Sequence, residues 1–144
     1  MNRLIQIANN AKDLQEKKIL VSIYSQSDVQ QFIIDLNKIG QLFKKGIDVD
    51  EQIIGRYSQT TELLNPEKRA GTPYTLKDTG DFYATFGVKV TKDGSFRITA
   101  NTIKEDNDLL EYGDILGLTK PSLNELIKEI LPIFIKETRE QIFR

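Results

Sequence analysis

Neither histidine nor cysteine occurs among the 144 residues of this chain, and the two absences remove whole classes of chemistry. Without cysteine there is no disulfide framework, no thiolate nucleophile and no cysteine metal site. Without histidine the chain lacks the one side chain whose unperturbed pKa lies near neutrality, the commonest general base and transition-metal ligand. Serine–histidine and cysteine–histidine mechanisms are therefore excluded. Paired carboxylates, a lysine or a hard metal ion are the catalytic routes left, and no cofactor is expected. A charge excess is missing too: 20 basic and 21 acidic side chains give a net charge of -1. That leaves no whole-domain electrostatic footprint for nucleic acid, and no sequence-specific nucleic-acid partner is expected. No apolar run approaches a membrane span. Asn9, Asn10, Lys12 and Asp13 interrupt the amino-terminal apolar residues before a signal-peptide core can form. The expectation is a soluble product of the cytoplasm with no membrane partner.

What is present is enough apolar sequence, 39% of residues, for one domain with its own core. The patterning reads as α+β: N-terminal helices, then a central antiparallel β-hairpin or small sheet packed on a C-terminal helix. Residues 1–144 form a single domain in this reading, with a helical part at 1–45, a long loop at 46–75, a hairpin region at 76–118 and the last helix at 119–144.

Leu4, Ile7, Ala8, Ala11 and Leu14 are helically spaced in a stretch free of Pro and Gly up to about Tyr24. Ser27 is a natural N-cap, Asp28 suits the first turn, and Val29, Phe32, Ile33, Leu36, Ile39 and Phe43 continue as an apolar stripe. Lys44 and Lys45 close that helix, with Gly46 just past its end. The break near Ser25 is weakly marked, so one long bent helix is the alternative. Between 46 and 75 the spread of Asp, Gly, Asn and Pro reads as a long connection, a kind of segment that orders on assembly. Phe82, Ala84, Phe86, Val88 and Val90 then alternate with polar residues as a half-buried strand. Asp93-Gly94 supplies a tight turn, and Phe96, Ile98 and Ala100 return. The Phe82 end reads alternatively as one helical turn capped by Thr79 or Asp78. Pro121, with Ser122 and Glu125 at capping-box spacing, starts the last helix. Its buried stripe is Leu123, Leu126, Ile127, Ile130 and Phe134, with a kink expected at Pro132.

Three constellations bear on chemistry. Asp78-Thr79-Gly80 is the tripeptide of dimeric aspartic proteases, in which two chains each supply one carboxyl. Here Asp81 adds a like charge directly after it, Lys77 stands where an apolar strand residue is expected, and Ile53-Ile54-Gly55-Arg56 comes before it instead of after. A capped structural turn fits the same residues better. Asp48, Asp50 and Glu51 lack the spacing of a calcium loop. Lys44, Lys45, Arg56, Lys68 and Arg69 with Tyr57 and Tyr74 outline a basic, aromatic surface of the single-strand-binding type. Asp48, Asp50, Glu51, Glu62 and Glu67 intervene, and scattered solvated charge is the better reading.

From about residue 42 to 118 the chain resembles small virion-morphogenesis proteins of tailed phages and prophages. The likeness lies in Lys45-Gly46-Ile47-Asp48, in Gly55-Arg56-Tyr57-Ser58-Gln59-Thr60-Thr61, in Gly71-Thr72-Pro73-Tyr74-Thr75-Leu76-Lys77-Asp78-Thr79-Gly80-Asp81-Phe82-Tyr83, and in the segment from Tyr112-Gly113-Asp114 through Thr119. Tyr83 and Thr85 stand where relatives carry Leu or Arg and then Ser, and the N-terminal helices are not part of the likeness. The resemblance implies a structural virion protein of the neck, tail-completion or head–tail connector type, with no enzymatic activity. Its partners would be copies of itself in a homo-oligomeric ring and neighbouring head and tail proteins. It would be found in the virion and, during assembly, in the host cytoplasm. The expected subunit contacts are Ile53, Ile54, Tyr57 and Tyr74 of the connection, and Tyr83, Thr85 and Lys89 on an exposed hairpin face. Asp78, Thr79 and Gly80 would set the angle at which the hairpin begins. A cytoplasmic adaptor or inhibitor of a host protein is the alternative of a different class, and a homodimeric aspartic protease the remote one.

Overall fold

The Pro- and Gly-free amino-terminal sequence folds as separate helices, α1 (Asn2–Lys12), α2 (Glu16–Tyr24) and α3 (Ser27–Asp35), in a computed structural model that describes residues 2–77 and 80–144. Gln26, in an extended conformation, precedes α3, so Ser27 opens the helix and Asp28 lies in its first turn. α3 runs on into a π-helical segment, Leu36–Phe43, whose wider turn carries the Lys44 N–H to the Ile39 carbonyl at 3.0 Å. That widening rotates the expected stripe. Val29 and Ile33 are buried as the spacing requires, but Asn37, Gln41 and Leu42 go inward with them while Phe43 turns out. Gly46 stops the segment with a left-handed φ of 62°.

After α3 the chain makes α4 (Gln59–Leu64), α5 (Asp81–Ala84), the hairpin β1 (Gly87–Val90) and β2 (Phe96–Thr99), and a minimal pair β3 (Ile103–Lys104) and β4 (Asn107–Asp108). A 3₁₀ turn, Leu109–Tyr112, leads to the long α6 (Lys120–Phe143). The protein is α+β, with antiparallel pairing in both ladders and a C-terminal helix, as the sequence pattern indicates.

The hairpin is shorter than the alternation. Phe82 and Phe86 are separated by four residues, a spacing that fits a strand face and a helical face equally. The chain takes the helical turn, which sends the adjacent Phe82 and Tyr83 both inward and brings the rings of Phe82 and Phe86 to 5.1 Å. The turn pairs Thr91 N–H with the Ser95 carbonyl at 2.9 Å and uses a positive φ at Gly94 alone. A three-residue loop with one left-handed glycine therefore replaces the two-residue turn. Gly94 is buried against α2, where a Cβ would come within 3.3 Å of the Lys17 Cα.

Two apolar clusters form the core. One joins Ile19, Ile23, Val29, Ile33, Ile98, Leu126 and Ile130; the hairpin packs chiefly on α3 in place of the C-terminal helix, and α6 joins the same cluster through Leu126 and Ile130. The other gathers Leu42, Phe82, Tyr83, Leu109 and Ile115. Phe86 and Leu116 pack against both. α6 begins one turn earlier than its capping-box signal: the Thr119 side chain accepts from Ser122 N–H at 3.3 Å, with Pro121 in the first turn. It runs through Pro132 as one continuous helix. Leu123 and Ile127, expected in its buried stripe, are exposed.

Candidate interaction surfaces

The 46–75 connection, expected as a long loop, is pinned shut by backbone pairing in two stages. Ile47 bridges Ile53, helped by Asp48, whose carboxylate accepts the Asp50 and Gln52 N–H groups at 2.9 Å each. Arg56 bridges Pro73, the Tyr57 N–H reaches the Thr72 carbonyl at 2.9 Å, and the Gly71 N–H returns to the Tyr57 carbonyl at 2.8 Å. Gly46 and Gly55 are what let the return arm pass. A Cβ on Gly46 would lie 2.5 Å from Pro73, and one on Gly55 would lie 2.4 Å from the Tyr74 ring.

Beyond the closed neck formed by Tyr57 and Gly71, the chain makes an excursion whose outer part is α4. Ser58 caps it, accepting from Thr61 N–H at 3.1 Å, and the Glu62 carboxylate ties its far arm by accepting from Ala70 N–H at 2.7 Å. α4 buries none of its residues. Leu63 and Leu64 are 85% and 84% exposed, more than any other large apolar residue described. From Gln59 to Glu67 the only charged residues are Glu62 and Glu67.

α6 presents the second apolar surface. Leu123, Ile127, Leu131 and Ile135 recur every four residues and are 40–53% exposed, so they form a ridge along the helix beside its buried face. Lower on the helix a hollow of about 500 Å³ is lined by Leu131, Pro132, Ile135, Lys136, Arg139 and Glu140.

The expected contact residues separate into three groups. Ile53 is exposed, whereas Ile54 packs partly on the second cluster. Tyr57 and Tyr74 meet edge to face at 4.9 Å, and Tyr74 meets Tyr112 at 5.8 Å, so these rings brace the connection while keeping part of their surface open. Tyr83 is a correction: it is 6% exposed, because the helical turn of α5 points it inward. Its hydroxyl donates to the Thr75 carbonyl, and burial, with Tyr57 nearby, raises its pKa above the usual tyrosine range. Thr85 is exposed but spends its hydroxyl on the Phe82 carbonyl at 2.7 Å and the Asn101 N–H at 2.9 Å. Lys89 does lie on the open face of β1, directly opposite the exposed Arg97 of β2.

Gly80 is left-handed (φ 91°) and leads into α5, not into a strand, while Asp78 and Thr79 lie outside the described residues. Of the basic residues singled out with Tyr57 and Tyr74, Lys44, Lys45 and Lys68 line one hollow with Tyr57, and Arg56 and Arg69 line neither that one nor its neighbour. Lys68 lies 5.8 Å over the Tyr57 ring, and Lys77 lies 5.0 Å over Phe43.

Sequence reasoning missed one polar cluster. The Asn37 side chain donates to the Ile115 carbonyl and accepts from Gly117 N–H, both at 3.0 Å. One turn on, Gln41 donates to the Gly117 carbonyl at 2.9 Å and accepts from Thr119 N–H at 3.0 Å. The two amides act as a side-chain ladder that holds the irregular 115–119 segment and the cap of α6. The signal was present: Asn37 and Gln41 continue the four-residue spacing of Val29 and Ile33. No protein-family model, curated protein or solved structure matches the chain.

Proposed function

We propose that this chain is a structural virion protein of a tailed bacteriophage, of the neck, tail-completion or head–tail connector type, working as a homo-oligomeric ring in contact with neighbouring head and tail proteins. The observation that carries this reading is the Leu63–Leu64 pair, 85% and 84% exposed on an excursion that hydrogen bonds close at its base. Two adjacent leucines held in water by a fixed scaffold lose on the order of 1.5–3 kcal/mol each against burial, which a neighbouring protein can return. The sequence resemblance over residues 42–118 supports the same assignment. So does the α6 ridge, a second exposed apolar surface.

Size-exclusion chromatography with light scattering, followed by electron microscopy of the protein with tail tubes and heads, tests the assignment. Rings, or density at the junction or the tube end, support it. A protein that stays monomeric and never joins particles refutes it. Co-purification with one host protein in place of capsid or tail components would favour an adaptor or inhibitor instead.

A further inference from the structure

Along the sequence, acids intervene among Lys44, Lys45, Lys68, Tyr57 and Tyr74; the fold moves most of them aside. Asp48 turns its carboxylate onto the Asp50 and Gln52 N–H groups, and Glu62 turns its own onto that of Ala70. Of the five acids that intervene, only Glu67 lines either of the two hollows beside Tyr57. The first hollow, about 370 Å³, is walled by Tyr57, Tyr74 and Tyr112 and by Lys68, Lys77 and Lys104. Glu105 is its one acid among the described residues. The second, about 600 Å³, shares Tyr57, Lys68 and Lys77 with the first and adds Phe43, Lys44 and Lys45. Five lysines therefore line the pair against two glutamates, in a chain whose net charge is -1. Asp78 follows Lys77 and lies outside the described residues; counted with the glutamates, it still leaves lysine in the majority. Lys68 and Lys77 lie against the rings of Tyr57 and Phe43, which fixes where their charge sits.

We infer that the two hollows form one groove for single-stranded nucleic acid, bound without regard to sequence. Bases stack at Tyr57, Tyr74 and Tyr112, and phosphates pass from Lys104 by Lys68 and Lys77 to Lys44 and Lys45. Half-buried rings beside lysines are the pairing that single-strand sites require, since every base offers a flat face and every linkage a charge. A small inorganic anion would use the lysines and leave the three rings without a role. A duplex keeps its bases stacked inside and could offer the rings nothing. The shared wall of Tyr57, Lys68 and Lys77 joins the hollows end to end, which suits a chain of phosphates better than one nucleotide. The groove lies within one chain, so it stands whether or not the ring reading does.

Fluorescence anisotropy of an end-labelled oligothymidylate of about 12 nucleotides, titrated with the full chain, tests the groove. Saturable binding is expected at low salt, falling on a log–log plot with a slope of about −0.7 for each phosphate held. An abasic strand of the same length should bind at least about fivefold more weakly, because it keeps the phosphates and loses the stacking. Lys44→Glu, Lys45→Glu and Lys77→Glu combined should weaken binding at least about tenfold. Lys12→Glu, Lys18→Glu and Lys92→Glu make the same change of charge at exposed positions that line neither hollow, and should weaken it far less. Tyr112→Leu should close much of the gap between the thymidylate and abasic strands, and Tyr112→Phe should keep it, with folding checked by circular dichroism. Damage to the fold alone would weaken both strands together. The groove is overturned by any of four results: no saturable binding at low salt, an abasic strand or a duplex bound as tightly, equal losses in the two triple variants, or a gap untouched by Tyr112→Leu. Thymidine monophosphate that competes as well as the strand overturns it too, in favour of a pocket for one nucleotide.

Discussion

Asn37 and Gln41 show how much a single buried amide carries here. Asn37 has no exposed surface, and its amide satisfies one carbonyl and one N–H of the 115–119 segment. Asn37→Leu keeps the volume roughly constant but orphans both backbone groups, at about 1–3 kcal/mol each. Urea denaturation should show a loss of roughly 2–5 kcal/mol, and Gln41→Leu a loss of the same order. The double variant should cost less than the sum, because both amides hold one segment. Tyr83 gives the pH counterpart. Its pKa is raised in the folded protein, so its contribution is full below the unfolded tyrosine value of about 10 and is lost as pH climbs toward the raised folded value. Stability should fall in that alkaline window, and Tyr83→Phe should flatten the fall. Phenolate absorbance recorded alongside unfolding checks both. At this scale the sequence was readable where a residue announces its backbone, as at Gly46 and Gly94. It was easily misread where a polar residue is buried for its hydrogen bonds, since composition rules place Asn and Gln outside even when, as at Asn37 and Gln41, their spacing continues a buried stripe.

The elements were legible in proportion to how far one periodicity excludes another. α3 and α6 were plain from their three-and-four spacing, and β1–β2 from alternation around Asp93-Gly94. α5 was not, because Phe82 and Phe86 satisfy both periods. The stripe of α6 was misread at Leu123 and Ile127 because a helix pattern tells which residues are apolar, not how wide a face the rest of the chain covers. The connection was read as loop because its order comes from pairing between residues such as Tyr57 and Thr72, which no local pattern encodes. Of the proposed contact surfaces, Lys89 on the hairpin was legible by alternation, whereas Leu63 and Leu64 carried no signal beyond a short apolar pair. The hairpin makes a prediction of its own. Lys89 and Arg97 stand directly opposite on the open face, a like-charge cross-strand pair that weakens the ladder. Arg97→Glu should raise stability by about 0.5–1 kcal/mol in thermal melts. If the face meets an acidic surface in the particle, the same variant should be incorporated less well. A stabilised variant with undiminished incorporation would remove Lys89 from the contact set.

For the whole molecule, the question is whether two clusters behave as one. α2, α3, β2 and α6 share the first, while the end of the π-helical segment, α5 and the 109–115 stretch share the second. Among the described residues, Phe86 and Leu116 are the apolar side chains that touch both, and the amides of Asn37 and Gln41 fix the 115–119 segment between them. Phe86 closes the contact through its edge-to-face meeting with Phe82 at 5.1 Å and its packing beneath Lys38 at 6.0 Å. Removing that ring deletes burial worth about 3–5 kcal/mol for a phenylalanine truncation, less at a half-buried site such as this. The larger consequence lies in cooperativity. Wild-type hydrogen exchange in mild denaturant should lose protection in Ile19–Ile33 and in Phe82, Leu109 and Ile115 together. In Phe86→Ala the second cluster should open first, since it is smaller and depends on the connection pinned by Gly46 and Gly55. That cluster supports the neck of the excursion carrying Leu63 and Leu64. If the proposed assignment holds, a Phe86→Ala protein should retain helical circular dichroism yet join particles poorly, because the Leu63–Leu64 excursion loses its fixed mounting. Simultaneous loss of protection in both clusters of the variant would mean that the buried amides alone couple them.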